Sequence, residues 1–314
     1  MNFAVADAHV DLITWLLERS PVTPFHEVSR GPLSPAGLSP GRVRLMVCAL
    51  YCADRFNGPK TASARLDELL RASQALSEPL VPAFTGQALV KAFTDPSGPV
   101  GYCHLVENCD ALLEADLMAL TEQGARLAGL THVGANRLAD GNAVSSPGGL
   151  RPEGRALLRD LAQAGWAVDL AHLAEPGFWE VLEKFPGPVL VSHTGLRAFH
   201  DVPRNLFLEQ AGAVVERGGL VCLTFAPEIL SADSKASISL VLAHIDSLAQ
   251  AYGPEHLGLG SDFGGFSDQC RGLADCSRFP DLARGLRNLG YPPQAVAGIM
   301  GGNLSRFLSA LYPG

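Results

Sequence analysis

Eight short apolar runs, each followed by a stretch of helical periodicity or a loop, constrain this chain more than any other feature. They are Phe3–Ala8, Val43–Tyr51, Val100–Val106, Leu127–Thr131, Ala167–Ala171, Pro188–Ser192, Gly219–Phe225 and Leu257–Ser261. Several are apolar at consecutive positions, as in Val189-Leu190-Val191. Strands covered on both faces read this way, because neither face meets water. Alternation of such runs with helices is the mark of βα units and a parallel sheet. Eight is the number that closes a barrel. The expected fold is therefore α/β, a (β/α)₈ TIM-type barrel, with residues 1–314 forming a single domain.

The helical stretches support this. Ala62–Leu76 sets Leu66, Leu69, Leu70 and Leu76 near one stripe. Glu153–Ala164 does the same with Leu157, Leu158 and Leu161. Ser237–Tyr252 carries Ile238, Val241, Leu242, Ile245 and Leu248 at helical spacing, and a last helix is expected over Gln294–Leu311. Clusters of Gly and Pro, as over Gly31–Gly41 and Pro96–Pro99, read as loops. A chain of 314 residues, 47% hydrophobic and 18% charged, is long enough for one large core.

Composition also excludes function classes. The net charge is -8 and no cluster of Lys and Arg stands out, which argues against a nucleic-acid surface. No apolar run reaches the length of a membrane span, and Met1 leads into Asn2-Phe3-Ala4 without a basic and apolar leader. A cytoplasmic protein is the expectation. The 7 cysteines are an odd number at scattered positions and read as reduced, buried thiols. Cys48/Cys52 and Cys270/Cys276 lack the spacing of zinc pairs.

Barrel enzymes place their chemistry at the C-terminal ends of the strands. Six of the eight ends carry a metal-ligand or acid–base residue: His9 and Asp11, Glu107, His132, His172, His193 and Asp262. A single histidine at such a place is more often structural; six ends together are far more specific. His9 and Asp11 are two apart, so an extended strand turns both to one side. The competing role for Asp11 is to cap a helix starting near Leu12. His172 and His193 lie 21 residues apart, the length of one strand–helix–strand unit. Two imidazoles on adjacent strand ends suit a borderline-soft ion such as zinc. Glu107, with two oxygens, could bridge two ions; its alternative is an acid in a surface loop. Asp262 could be a proton shuttle or a further ligand. His26, His104, His200, His244 and His256 read as structural or solvated. No phosphate-binding glycine loop competes with a metal site.

The same residues resemble the membrane dipeptidase (renal dipeptidase) family of zinc peptidases, a branch of the amidohydrolase-like barrels. The resemblance lies in Asp7-Ala8-His9-Val10-Asp11-Leu12, Leu130-Thr131-His132 with Ala139-Asp140, Val168-Asp169-Leu170-Ala171-His172, and Pro188–His193. It continues through Val202-Pro203-Arg204-Asn205, His244-Ile245-Asp246, His256–Phe263, Phe279–Leu282 and Gly301-Gly302-Asn303. The stretch between Trp15 and Pro99 matches poorly. Asn108-Cys109 stands where the family has a Gly-Gly pair, and Asp262-Phe263-Gly264-Gly265 where it has Asp-Phe-Asp-Gly. These departures touch pocket walls more than ligands.

The resemblance implies two Zn²⁺ per chain, one on His9, Asp11 and Glu107, the other on Glu107, His172 and His193. It further implies that His132 contacts the scissile carbonyl oxygen, that Arg204 grips the substrate's terminal carboxylate, and that Asp262 shuttles the proton. Without the family pattern, Arg204 would read as an ordinary exposed arginine in a polar loop. The expected activity is hydrolysis of a dipeptide, including one with a C-terminal D-residue, by a hydroxide bridging two zinc ions. The alternatives are a binuclear amidohydrolase acting on N-acyl amino acids or lactams, and a non-catalytic ligand-binding relative. The expected partners are a dipeptide and a second copy of the chain in a homodimer, with no nucleic acid and no membrane.

Overall fold

The computed structural model describes residues 3–19, 24–74 and 76–312. Met1 and Asn2, read above for a leader, lie outside them. Nine strands form one all-parallel sheet: β1 Val5–Val10, β2 Val43–Tyr51, β3 Leu80–Pro82, β4 Val100–Glu107, β5 Ala125–Gly129, β6 Ala167–Asp169, β7 Val189–Thr194, β8 Leu220–Leu223 and β9 Leu257–Leu259. The sheet closes, since β1 pairs with both β2 and β9, and β2 continues onto β4 through Leu45↔Gly101 to Tyr51↔Glu107. The closed ring has eight strands. β3 is the extra one: it pairs with Val100–Tyr102 on the edge of β4 that β5 then takes over from His104 onward.

The expected barrel is present, and each of the eight expected strands overlaps an observed one. The short β3 was not expected, being three residues ending in a proline. The helices run over Pro59–Gln74, Pro152–Gln163 and Ile238–Tyr252, close to expectation. The last helix is not continuous. Pro293–Ala297 leads into a wide turn at Gly298–Gly302 before Asn303–Leu311. Residues Pro35–Leu38, expected as loop, make one helical turn with proline at its start.

Strand alternation sorts the side chains. Leu45, Val47, Cys103, Leu105, Leu127, Ala167, Leu190 and Cys222 form one fully buried cluster, and Leu304, Leu308 and Tyr312 belong to it. The Tyr312 hydroxyl donates to the carbonyl of Gly124, just before β5, so the last helix seals the N-terminal end of the barrel. A larger apolar layer packs between strands and helices. All seven cysteines are buried and free. Among the described residues no helix is long and apolar enough to cross a membrane. With its floor sealed by apolar side chains, the barrel leaves its C-terminal end as the open face.

Candidate metal centre

At that open face, strand ends supply the polar groups. β1 carries His9, and Asp11 follows before the helix Leu12–Arg19. β4 ends on Glu107, and β7 carries His193. His172 and Asp262 come three residues after β6 and β9. Both sit in left-handed backbone, each with φ 63°, as does Asn108 directly after Glu107. Such conformations cost side-chain-bearing residues of order 1 kcal/mol or more and gather at functional sites. Asn tolerates this region best among non-glycine residues, which explains how Asn108 replaces a glycine of the family pattern. It also earns hydrogen bonds a glycine could not make: its amide donates to the Cys52 carbonyl and to Asn57, and accepts from Asn136.

Glu107 lies between two groups. Its Oε2 is 3.7 Å from His9 Nε2, which is itself 3.7 Å from Asp11 Oδ2. Its Oε1 is 3.1 Å from His172 Nε2 and 4.0 Å from His193 Nε2. The two imidazole Nε2 atoms are 3.0 Å apart. Within each trio, His9–Asp11–Glu107 and Glu107–His172–His193, the donor atoms lie within 4.8 Å of one another; so do those of His9, His193 and Asp262. Only 4% of Glu107 is exposed, so it is no surface-loop acid. Asp11 Oδ1 is buried without a hydrogen-bond partner. His9 Nε2 is likewise buried and unpartnered. Buried polar atoms left this way call for a further group between them.

The electrostatics agree. Burial alone would lower His9, but the Glu107 and Asp11 carboxylates outweigh it and lift its pKa to about 10. That corner demands positive charge. Burial would raise Glu107, yet His9 and the His172 hydrogen bond hold it well below the usual carboxylate range. Burial and the nearby Arg204 charge drop His172 to about 3, and burial with His9 drives His193 well down. Two imidazoles that stay neutral are two lone pairs available to a cation. Burial and then the Asp11 charge push Asp262 well above its ordinary value.

Outer partners hold these side chains still. His193 Nδ1 is 2.8 Å from the Ser192 hydroxyl, which donates to buried Asp169. Asp7 accepts from the Ser261 amide and tethers β9 to β1. Arg204 is not an exposed loop arginine: its Nη2 donates to the His193 carbonyl at 2.9 Å and lies 3.3 Å from His172 Nε2, while its Nε is buried without a partner. The cavity above the ligands has a volume of about 480 Å³ and is lined by Asp11, Glu107, His132, His172, Arg204 and Asp262, among others. Gly265 closes its edge; a Cβ there would fall 2.4 Å from the carboxylate oxygens of both Asp11 and Asp262, so glycine is the residue that leaves room for them.

The remaining histidines stay out of this cluster. His104, His200 and His256 each meet a backbone carbonyl, His244 accepts from the Leu196 amide, and His26 is largely exposed. Among the polar residues that line the cavity, Thr14, Glu18, Tyr51, Asn142 and Glu228 escaped the strand-end pattern. Tyr51 closes β2, and a tyrosine there draws less notice than a histidine or an acid.

Comparison with known proteins joins this geometry to a family. Residues 1–311 match the family model described as membrane dipeptidase, peptidase family M19. The chain is 34% identical to dipeptidase aclJ of Aspergillus oryzae over 191 residues, covering 60% of this chain and 45% of that one. It is 31% identical to dipeptidase tcpJ of Claviceps purpurea over 188 residues, covering 59% and 44%. The matched segment thus spans about half the length of these relatives. Among solved structures, a metallo peptidase from Rhodobacter sphaeroides, liganded with a phosphinate mimic of L-Ala-D-Ala, superposes with TM-score 0.88 at 22% identity, covering 99% of this chain and 100% of that one. The probable dipeptidase PvdM of Pseudomonas aeruginosa gives TM-score 0.82 at 17% identity over 99% and 96%. Those two likenesses concern the fold; the match to the family model over nearly the whole chain places this protein in the membrane dipeptidase family.

Proposed function

We propose that this chain is a dipeptidase whose site holds two divalent ions, zinc fitting the donors best. The observation that carries the reading is Glu107, whose two oxygens face different ligand groups, His9 with Asp11 on one side and His172 with His193 on the other. Such a carboxylate suits a bridge, and the mixed imidazole–carboxylate set suits zinc. When bound, a pair of ions would polarise the scissile carbonyl and lower the pKa of a water from 15.7 to about 7.

The chain's own groups then divide the remaining work. Asp262, whose burial makes its carboxylate a stronger base than usual, takes the proton of the attacking water and returns it to the leaving amine. His132 lines the cavity and contacts the scissile carbonyl oxygen, where negative charge develops. Arg204 already spends Nη2 on the His193 carbonyl, and its unpartnered Nε is left for the substrate's terminal carboxylate. The Rhodobacter structure holds a mimic of L-Ala-D-Ala, so a C-terminal D-residue belongs in the substrate class proposed here.

The test pairs elemental analysis of protein purified without chelator with turnover of L-Ala-D-Ala, L-Ala-L-Ala and their C-terminal amides. About two ions per chain are expected, with free acids cleaved and amides cleaved poorly. Arg204→Lys keeps the charge but loses the planar fork, and should raise KM by about tenfold while sparing kcat. A metal-free preparation with full activity would overturn the metal assignment; equal turnover of acids and amides would overturn the role of Arg204.

A further inference from the structure

The end of β2 holds two polar side chains that the ligand set does not use. β2 and β5 flank β4 on opposite edges, so the segments leaving them meet above Glu107. There, in the short turn Asp54–Phe56, Asp54 Oδ2 lies 3.3 Å from His132 Nδ1. The same oxygen accepts the Gly134 amide at 3.1 Å. The Tyr51 hydroxyl stands 3.4 Å from His132 Nδ1, and its ring meets the imidazole edge-on with centroids 4.9 Å apart. On another side His132 packs against His172, centroids 4.6 Å apart. A Cβ on Gly134 would lie 3.0 Å from Asp54 Cγ, so the close seat of this carboxylate depends on glycine at that position.

A carboxylate only accepts, so the nitrogen it faces carries the proton. We infer that Asp54 is a positioning residue: by holding His132 Nδ1–H and the Gly134 amide together, it fixes the ring's plane so that its Nε2 edge is the one turned toward the substrate. The inference rests on the reading of His132 given above. Tyr51 forms the wall against which the ring is held. A histidine tethered through its second nitrogen is a recurrent device, and loss of such a tether typically costs about 10–100-fold in activity or affinity.

The experiment reads the tether directly. Zinc-loaded protein carrying ¹⁵N-labelled histidine is examined by long-range ¹⁵N–¹H correlation, with the His132 signals identified by their absence in His132→Gln. Wild type should show His132 protonated on Nδ1, and Asp54→Ala should lose that pattern. On L-Ala-D-Ala, Asp54→Ala should lower kcat about 10–100-fold with KM within about threefold and metal content unchanged. Asp54→Asn, whose amide oxygen can accept both bonds, should restore the Nδ1 pattern and part of kcat. An unchanged His132 spectrum in Asp54→Ala, or an unchanged kcat, overturns the inference. A fully active His132→Gln would instead overturn the role given to His132, and the nitrogen spectra decide the tether even if wild type cleaves no dipeptide.

Discussion

The two ends of this barrel differ in kind. At the C-terminal end, six ligand-type side chains converge under a cavity of about 480 Å³. At the N-terminal end the barrel is plugged by Leu304, Leu308 and Tyr312, and the rim beside the plug opens into a larger space of about 1120 Å³. That larger space is lined by Arg42, Phe93, Tyr291 and Arg306, among others, and by none of the convergent ligand groups. Size therefore does not locate the chemistry; strand direction does. The sealed end supplies stability, which leaves the open end able to keep buried polar atoms unpaired and three side-chain-bearing residues in left-handed backbone.

Substitutions at the two ends should separate these roles. The largest effect is expected at Asp262. Under the proposed function, Asp262→Asn should retain the fold and the metal content of the parent and lose kcat by about 10²–10⁴-fold, the usual scale of general acid–base catalysis. Steady-state kinetics with metal analysis checks this; a variant that sheds an ion moves Asp262 into the ligand set, and one with normal kcat removes it from the mechanism. Next comes the plug. Leu308 is fully buried, and Leu308→Ala should cost about 2–5 kcal/mol in urea unfolding while leaving kcat of the folded protein near wild type. A matching collapse of kcat without loss of stability would erase the contrast between the ends.

The third expectation concerns pH and the strand wall. His104 is buried beside Phe84 and Tyr102, and burial brings its pKa down to about 4. Above pH 6.5 it is neutral folded or unfolded and contributes no pH dependence. As pH falls from 6.5 toward 4 the unfolded chain takes up a proton that the folded chain refuses, so stability drops by about 3 kcal/mol and then levels off. His104→Gln, which keeps a donor for the Gln123 carbonyl, should flatten that part of the curve. If parent and variant lose stability in parallel between pH 7 and 4.5, the effect belongs to other groups.

The fold was legible because its strands are apolar at consecutive positions and its helices are striped, both properties of local sequence. β3 was not, since three residues ending in Pro82 owe their strand form to the exposed edge of β4. The convergence of His9, Asp11, Glu107, His172, His193 and Asp262 was legible because histidines and acids at strand ends are chemically distinct. Arg204 was readable only through the family pattern; its buried contact with the His193 carbonyl is a tertiary fact. Asp54 was hidden for the same reason. It lies 78 residues from His132, in the stretch that matches the family least, and nothing local marks it. Asn108 departs from the family's letter at a backbone angle, φ 63°, that glycine enters freely and asparagine tolerates.

Closure of the ring sets an order of events during synthesis. β1 pairs with β9, the Asp262 amide donates to the His9 carbonyl, and the Asp11 amide donates to that of Phe263. His9 and Asp11 therefore wait for the last strand before their neighbourhood exists, while Glu107, His172 and His193 belong to the ends of β4, β6 and β7 in the intervening chain. Contacts so distant in sequence form slowly, because loop closure must precede their reward. The side of the cluster drawn from β4 to β7 can therefore assemble before the β1 side, which is completed only as the barrel shuts.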